Sequence, residues 1–249
     1  MLEWCIRTGL IKKIDERLEN SVLKLIGLGL NVKYQEWKEF VCVLWRFRAC
    51  KIFLLSYCLL KFLYLFSGPY SVSRRYLKWM NADDFYSYGE TPLMSLASMA
   101  DRIGLSGDDH VFELGAGSGF TSLWLNLVAG CRVTAIEQVP GFVWRLSWVV
   151  RLLRISGVNV CREDYLNSDL SSATIIYLFA SDLDDVVITQ LAEKLALLSA
   201  GTRIVTVSYS LQPYIDQPAF EVMDQFEACF PWGAADVYVQ RVCEMTRKT

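Results

Sequence analysis

Three glycines at alternate positions, Gly115, Gly117 and Gly119, follow the apolar run 110-HVFEL-114 and lead into a stretch with helical spacing. A strand ending in such a turn presents unpaired backbone N–H groups at a helix start and leaves room for a ligand where a Cβ would intrude. The chemistry this serves is cofactor binding beyond the carboxyl ends of a parallel sheet. The spacing is G-x-G-x-G: Phe120 stands where a dinucleotide fingerprint needs its third glycine, and no G-x-x-x-x-G-K-[ST] occurs. Acidic and aromatic residues accompany the turn. Glu113 precedes it, Glu137 lies 22 residues past Gly115 at the end of 132-RVTAIE-137, and Asp164-Tyr165 follows 158-VNVCRE-163. A carboxylate at the place of Glu137 can accept both hydroxyls of a ribose. The plainer alternatives are a solvated strand end for Glu137 and a turn or helix cap for Asp164.

The elements that must position these residues are read from hydrophobic period. Short apolar runs at 110–114, 132–137, 158–163, 174–180 and 202–209 alternate with helical patterns at 118–128, 141–156 and 184–198. That alternation predicts βαβ units and a parallel sheet covered on both faces. Residues 220–230 and 235–243 read as two strands around Pro231-Trp232-Gly233, an antiparallel hairpin. A further helix is expected from Leu93 to Ile103, with Thr91 and Pro92 offering a capped start. Residues 1–66 have helical spacing throughout, ended by the turn signal Ser67-Gly68-Pro69. The fold class expected is α/β, a Rossmann-like seven-stranded sheet behind a helical N-terminal extension, with domains at 1–69 and 70–249.

ELGAGSGF, VTAIE and EDYL resemble the successive motifs of class I, seven-strand S-adenosylmethionine-dependent methyltransferases, over roughly residues 85–245. The stretch 88-YGETPLMSLASMADRIGL is similar to the cofactor-covering loop of the disruptor-of-telomeric-silencing histone-lysine methyltransferases. The stretch 174–210 is similar to their fourth and fifth strands, and also resembles the smaller ATP synthase c-subunit lysine methyltransferases, relatives that often carry a membrane-associated N-terminal segment. The resemblance implies S-adenosylmethionine as cofactor and the lysine amine of a protein as acceptor. It implies that Tyr88, Glu90 and Thr91 close over the methionine end. Glu113, Gly115, Gly117 and Gly119 would hold the amino-acid part beside Phe120, Glu137 the ribose, and Asp164 with Tyr165 the adenine. One departure stands out. Where the histone-directed family has Asn-Asn-Phe-Ala after strand four, this chain has Tyr177, Leu178, Phe179 and Ala180. Tyr177 and Phe179 are accordingly read as substrate-channel residues, with Phe120 and Tyr209 as further aromatics that equally suit a core. A lipid or small-amine methyltransferase, and a scaffold that keeps the fold without transfer, are the competing readings.

Charge is distributed unevenly. Residues 1–80 hold 14 Lys/Arg against 6 Asp/Glu, whereas residues 81–249 hold 11 against 21. The acidic remainder offers no basic field for phosphates, and no [DNS]-P-P-[YFW] follows strand four, which argues against a nucleic-acid substrate, although the basic N-terminal part could serve either RNA or anionic lipid. With eight cysteines but no CxxC pair, and His110 alone, no metal site of the Cys/His kind is expected. The cysteine usage points to a reducing, intracellular setting, cytoplasmic or peripheral to a membrane. Within residues 40–66 the longest uncharged run is the nine residues from Ile52 to Leu60, well short of the ~18–20 that a spanning helix needs. Residues 1–66 are therefore read either as lying in an anionic membrane interface or as packed on the main domain.

Overall fold

A computed structural model describes residues 33–82, 88–179, 183–230 and 233–244. Chain contacts define two compact units, Met1–Arg46 and Phe47–Thr249. In the first, residues 33–46 are helical; the helical reading of residues 1–32 lies outside the described residues. The second unit carries the sheet, and it begins at Phe47, upstream of the boundary expected at residue 69.

Seven strands form that sheet: β1 (His110–Leu114), β2 (Arg132–Ile136), β3 (Val158–Cys161), β4 (Ile175–Leu178), β5 (Arg203–Val207), β6 (Phe220–Phe230) and β7 (Gly233–Val242). Their order is β3-β2-β1-β4-β5-β7-β6. β1 to β5 run parallel, and β7 is antiparallel to both β5 and β6. The central strands are apolar on both faces because both are covered, so β4 is buried along its whole length. β6, at the sheet edge, alternates exposed and buried positions over its second half.

The helices of this unit are α1 (Lys51–Leu63), α2 (Pro69–Trp79), α3 (Leu93–Ile103), α4 (Phe120–Leu127), α5 (Pro140–Leu152) and α6 (Asp185–Leu195). α3 has the bounds expected from its period, and it stops where Gly104 adopts φ +70°. α2 was not anticipated. Gly68-Pro69 ends one helix, but a proline at the first helical position is also pre-set to start the next. α4 begins at Phe120 rather than 118 because Gly119 sits at φ +87°. α5 ends at Leu152, short of 156, as Arg154 turns to φ +54°. Strands β2 to β5 end earlier than expected at their carboxyl ends, because the chain leaves the ladder there to build loops.

α1 packs on α4 and α5. Its inward residues Phe53, Tyr57 and Leu60 are buried, each contributing about 1.5–3 kcal/mol. Rings interlock there, with Tyr57 edge-on to Phe120 at 5.2 Å and Phe47 edge-on to Trp124 at 6.1 Å. At the amino ends of the strands Asp109 accepts from Arg203 at 2.6 Å, from Thr174 Oγ1 at 2.8 Å and from the Ser106 amide at 2.8 Å. Arg203 also donates to the Ile103 carbonyl at 2.9 Å and to that of Gly104 at 2.6 Å, tying the end of α3 to the sheet. Among the described residues no helix is long and apolar enough to cross a membrane.

Candidate functional site

The glycine turn leaves β1 and doubles back over β2. The N–H groups of Gly115 and Ala116 both donate to the Ile136 carbonyl, at 2.9 and 3.0 Å. One residue on, Glu137 reaches back to the turn: its Oε2 accepts from the Gly117 N–H and its Oε1 from the Val139 N–H, both at 2.7 Å. A Cβ on Gly117 would lie 3.3 Å from the Tyr88 hydroxyl, in a conformation of φ +53° that disfavours any side chain. Gly119 is needed for a different reason. Its Cβ would fall 2.7 Å from Leu146 Cδ1, so this glycine lets α4 and α5 approach. The end of α1 also touches the turn, where the Tyr64 hydroxyl donates to the Ser118 carbonyl at 3.2 Å.

Above the turn lies the segment 88–91. The Tyr88 ring stacks on Phe142 at 5.3 Å, and its hydroxyl donates to Glu90. Burial, with the neighbouring Glu90 charge adding to it, raises the Tyr88 hydroxyl well above its usual range. Thr91 is buried, and its Oγ1 shares a 2.7 Å hydrogen bond with the hydroxyl of Tyr177 on β4. Glu113, inside β1, accepts from Ser122 Oγ on α4. Its carboxyl is pushed up to about 8, chiefly by burial, against the Ser122 hydrogen bond and with the Glu137 and Glu90 charges adding to the rise. Burial also raises the Glu137 carboxyl, although the N–H donors of Val139 and Gly117 pull the other way.

These elements enclose a cavity of about 190 Å³ whose walls include Tyr88, Gly115, Gly117, Glu137, Tyr165 and Phe179. A smaller hollow of about 30 Å³ shares Gly115, Gly117 and Phe179 with it and is lined further by Glu90, Thr91, Glu113 and Phe120. Among the described residues no Lys, Arg or His lines either space. Among the described residues no cluster of His, Cys, Asp and Glu could hold a metal ion.

The structure thus gathers most of the residues singled out from the sequence, and sets four apart. Gly119 faces Leu146, as above. Asp164 uses its carboxylate on its own turn, accepting from the Leu166 N–H at 2.9 Å and Asn167 Nδ2 at 3.1 Å, so it acts as the turn cap that was its plainer reading. Tyr177 lies behind the wall, bonded to Thr91, and Tyr209 packs on Tyr214 at 6.0 Å; neither lines the two spaces.

Sequence reasoning missed Ser73 and Leu77, which wall the cavity from the unanticipated α2, and Phe142 and Leu183, which look like ordinary core residues in the sequence. It also missed Lys194 on α6. The Lys194 ammonium donates to the carbonyls of Tyr165 at 2.7 Å, Leu166 at 2.9 Å and Ser168 at 2.5 Å, fixing the loop that brings Tyr165 to the cavity. No local signal marks a lysine whose partners are backbone carbonyls far away in sequence.

No protein-family model matches the chain, and no curated protein matches it either. Solved structures do match. An RNA methyltransferase from Salinibacter ruber in complex with S-adenosyl-L-homocysteine superposes with a TM-score of 0.53 at 21% identity, over 64% of this chain and 97% of that one. The putative methyltransferase yhhF from Escherichia coli gives 0.51 at 12% identity, over 63% and 88% of the two chains. A tRNA methyltransferase from B. subtilis gives 0.50 at 14% identity, over 59% and 65%. With its strand order and antiparallel C-terminal hairpin, the chain has the Rossmann-like α/β fold of class I methyltransferases.

Proposed function

We propose that the chain is an S-adenosylmethionine-dependent methyltransferase acting on the lysine amine of a protein. The observation that carries the cofactor is the charge of the site. Glu90, Glu113 and Glu137 surround a glycine turn whose two hollows are lined, among the described residues, by no cationic side chain. A pyrophosphate would find no cationic partner there, whereas a ligand carrying an ammonium, a sulfonium and ribose hydroxyls meets the carboxyl groups of Glu90 and Glu137, with Glu113 able to give up its proton on meeting the ammonium. Glu137 keeps lone pairs for two hydroxyls beyond the two N–H bonds it already accepts. Tyr165 offers a face to the adenine, and Tyr88, Glu90 and Thr91 cover the methionine end. Asp164 and Gly119 contribute shape, holding the Tyr165 loop and the α4–α5 contact.

When bound, S-adenosylmethionine would supply an electrophilic methyl group to the acceptor's lone pair and leave as the thioether S-adenosylhomocysteine. The protein's part is to align the two, exclude water and keep the amine neutral. Phe179 borders both hollows, and its ring lies 5.6 Å from that of Phe230, so the mouth beside β4 is aromatic. Such a lining desolvates an incoming lysine, which lowers its pKa, and holds the methylated cation by ring contact. This aromatic mouth and the similarity of the 88–91 loop to that of lysine-directed enzymes favour an amine acceptor.

Calorimetric titration with S-adenosylhomocysteine, with NAD as control, tests the cofactor. Micromolar or tighter binding that weakens roughly 10- to 100-fold in Glu137→Ala is expected, since charge-assisted hydrogen bonds are lost. A folded protein that ignores S-adenosylhomocysteine overturns the proposal. Transfer of radiolabelled methyl to lysine-containing proteins, followed by mass-spectrometric mapping, tests the acceptor; label found only in RNA or lipid would overturn that part alone.

A further inference from the structure

The three helices α1, α2 and α5 contain seven Lys or Arg and no Asp or Glu. The flanking sequence is acid-free too, with no acidic residue between positions 40 and 82 or between 138 and 162. These helices are distant in sequence but packed on one another. α1 and α5 are in contact, the Arg145 guanidinium of α5 donates to the Leu63 carbonyl at the end of α1 at 3.2 Å, and Gly141 of α5 lies tight against Val72 of α2.

Their outward surface is as apolar as it is basic. Phe62 is 65% exposed, Leu65 66% and Phe66 93% around the end of α1; Trp79 is 74% exposed at the end of α2; Trp144 is 58% and Trp148 39% exposed on α5. Beside them stand the exposed cations Lys51, Lys61, Arg74, Arg75, Arg151 and Arg154. A chain that buries Phe53, Tyr57 and Leu60 on the inner side of α1 and leaves this many large side chains outside is holding a patch for something else. Cations interleaved with Trp and Phe, on three helices that carry no acid of their own, match an anionic lipid surface. There indole and phenyl rings settle at the headgroup level and lysine and arginine stems reach up to the phosphates.

We infer that the α1–α2–α5 face docks the protein on anionic membranes, lying on the bilayer without crossing it. This differs from the surface expected over residues 1–66, because seven of the twelve side chains named lie in α2, in α5 or just after α5. It also bears on the site. α2 turns Ser73 and Leu77 to the cavity and Trp79, Arg74 and Arg75 outward, so the cavity wall and the docking face are two sides of one helix. The inference does not depend on the cofactor assignment.

The test is co-sedimentation of the full chain with vesicles of phosphatidylcholine containing phosphatidylglycerol, against pure phosphatidylcholine and against single-stranded RNA. Binding to the anionic vesicles alone, weakened by salt and accompanied by a blue shift of tryptophan emission, is expected. Arg151→Gln with Arg154→Gln should weaken it about fivefold for each charge removed, and Phe66→Asp with Trp79→Asp should abolish the emission shift. Both pairs lie at exposed positions, and an unchanged circular dichroism spectrum and thermal midpoint would show that the fold is intact. Failure to bind anionic vesicles, binding that neither pair of substitutions alters, or binding to RNA instead would each overturn the inference.

Discussion

Glu113 and Tyr177 stand side by side, paired in register across β1 and β4, each buried and each satisfied by a partner from a different helix or loop. Ser122 on α4 donates to the carboxyl, and Thr91, just ahead of α3, bonds the phenol. Register-paired residues share a face of the sheet, so this polar pair forms a floor beneath the glycine turn. The floor joins the covering segment to the first strand.

The Glu113 carboxyl, held up to about 8 mainly by burial, makes stability depend on pH. Because the folded state keeps a proton that the unfolded chain loses near 4.5, the fold binds more protons between pH 4.5 and 8 and loses stability as pH rises through that window. Glu113→Gln should flatten this slope and melt higher than wild type above pH 8, as thermal denaturation across pH would show. If the carboxylate receives the cofactor's ammonium, S-adenosylhomocysteine binding near pH 7 should release a proton, measurable by calorimetry in buffers of different ionisation enthalpy.

Removing one member of the Thr91–Tyr177 pair leaves a buried hydroxyl without its partner. Thr91→Val or Tyr177→Phe should each cost about 1–3 kcal/mol, while the double substitution should cost less than the sum, because both hydroxyls are then gone. Urea denaturation of the four proteins measures the coupling.

Lys194 behaves as a tethered cation inside a ring of three carbonyls. Lys194→Ala should loosen the Tyr165 loop and weaken S-adenosylhomocysteine binding by roughly tenfold, the equivalent of one lost charged hydrogen bond. Ammonium or methylammonium should restore part of that affinity, a response that a cavity defect in the core would not give.

At the other end of the sheet, hydrogen bonds from Arg203, Thr174 and Ser106 outweigh burial and hold the Asp109 carboxyl below its ordinary value. Such a group stabilises the fold above the unfolded pKa near 3.8, and the contribution is lost as pH falls through the folded pKa. Asp109→Asn should cost about 3 kcal/mol at pH 7, with the gap to wild type closing in acid. Chemical denaturation at pH 7 and pH 3 compares the two.

How much of this could be read in advance follows the range of the physics involved. The spans of β1, β6 and α3 depend on local period and flanking turn residues, and the structure has them at 110–114, 220–230 and 93–103, the same bounds as the reading. The nearness of Glu137 to the glycines depends on one βαβ unit of ordinary length, and Gly117 does donate to it. The rest was hidden because tertiary neighbours decide it. Gly68-Pro69 is a stop and a start at once, so α2 and its cavity residues Ser73 and Leu77 went unseen. That Gly119 serves Leu146 and not a ligand depends on where α5 lies.

The sheet order β5-β7-β6 has a consequence for how the chain is made. The strand lying between β5 and β6 is the last of the three in sequence, so during vectorial synthesis β5 and β6 emerge with their facing edges bare. Until the residues up to Val242 have left the ribosome, those edges are open to any passing strand. A nascent chain stalled before Gly233 would therefore carry its largest aggregation hazard at the very place where the finished molecule is most continuous.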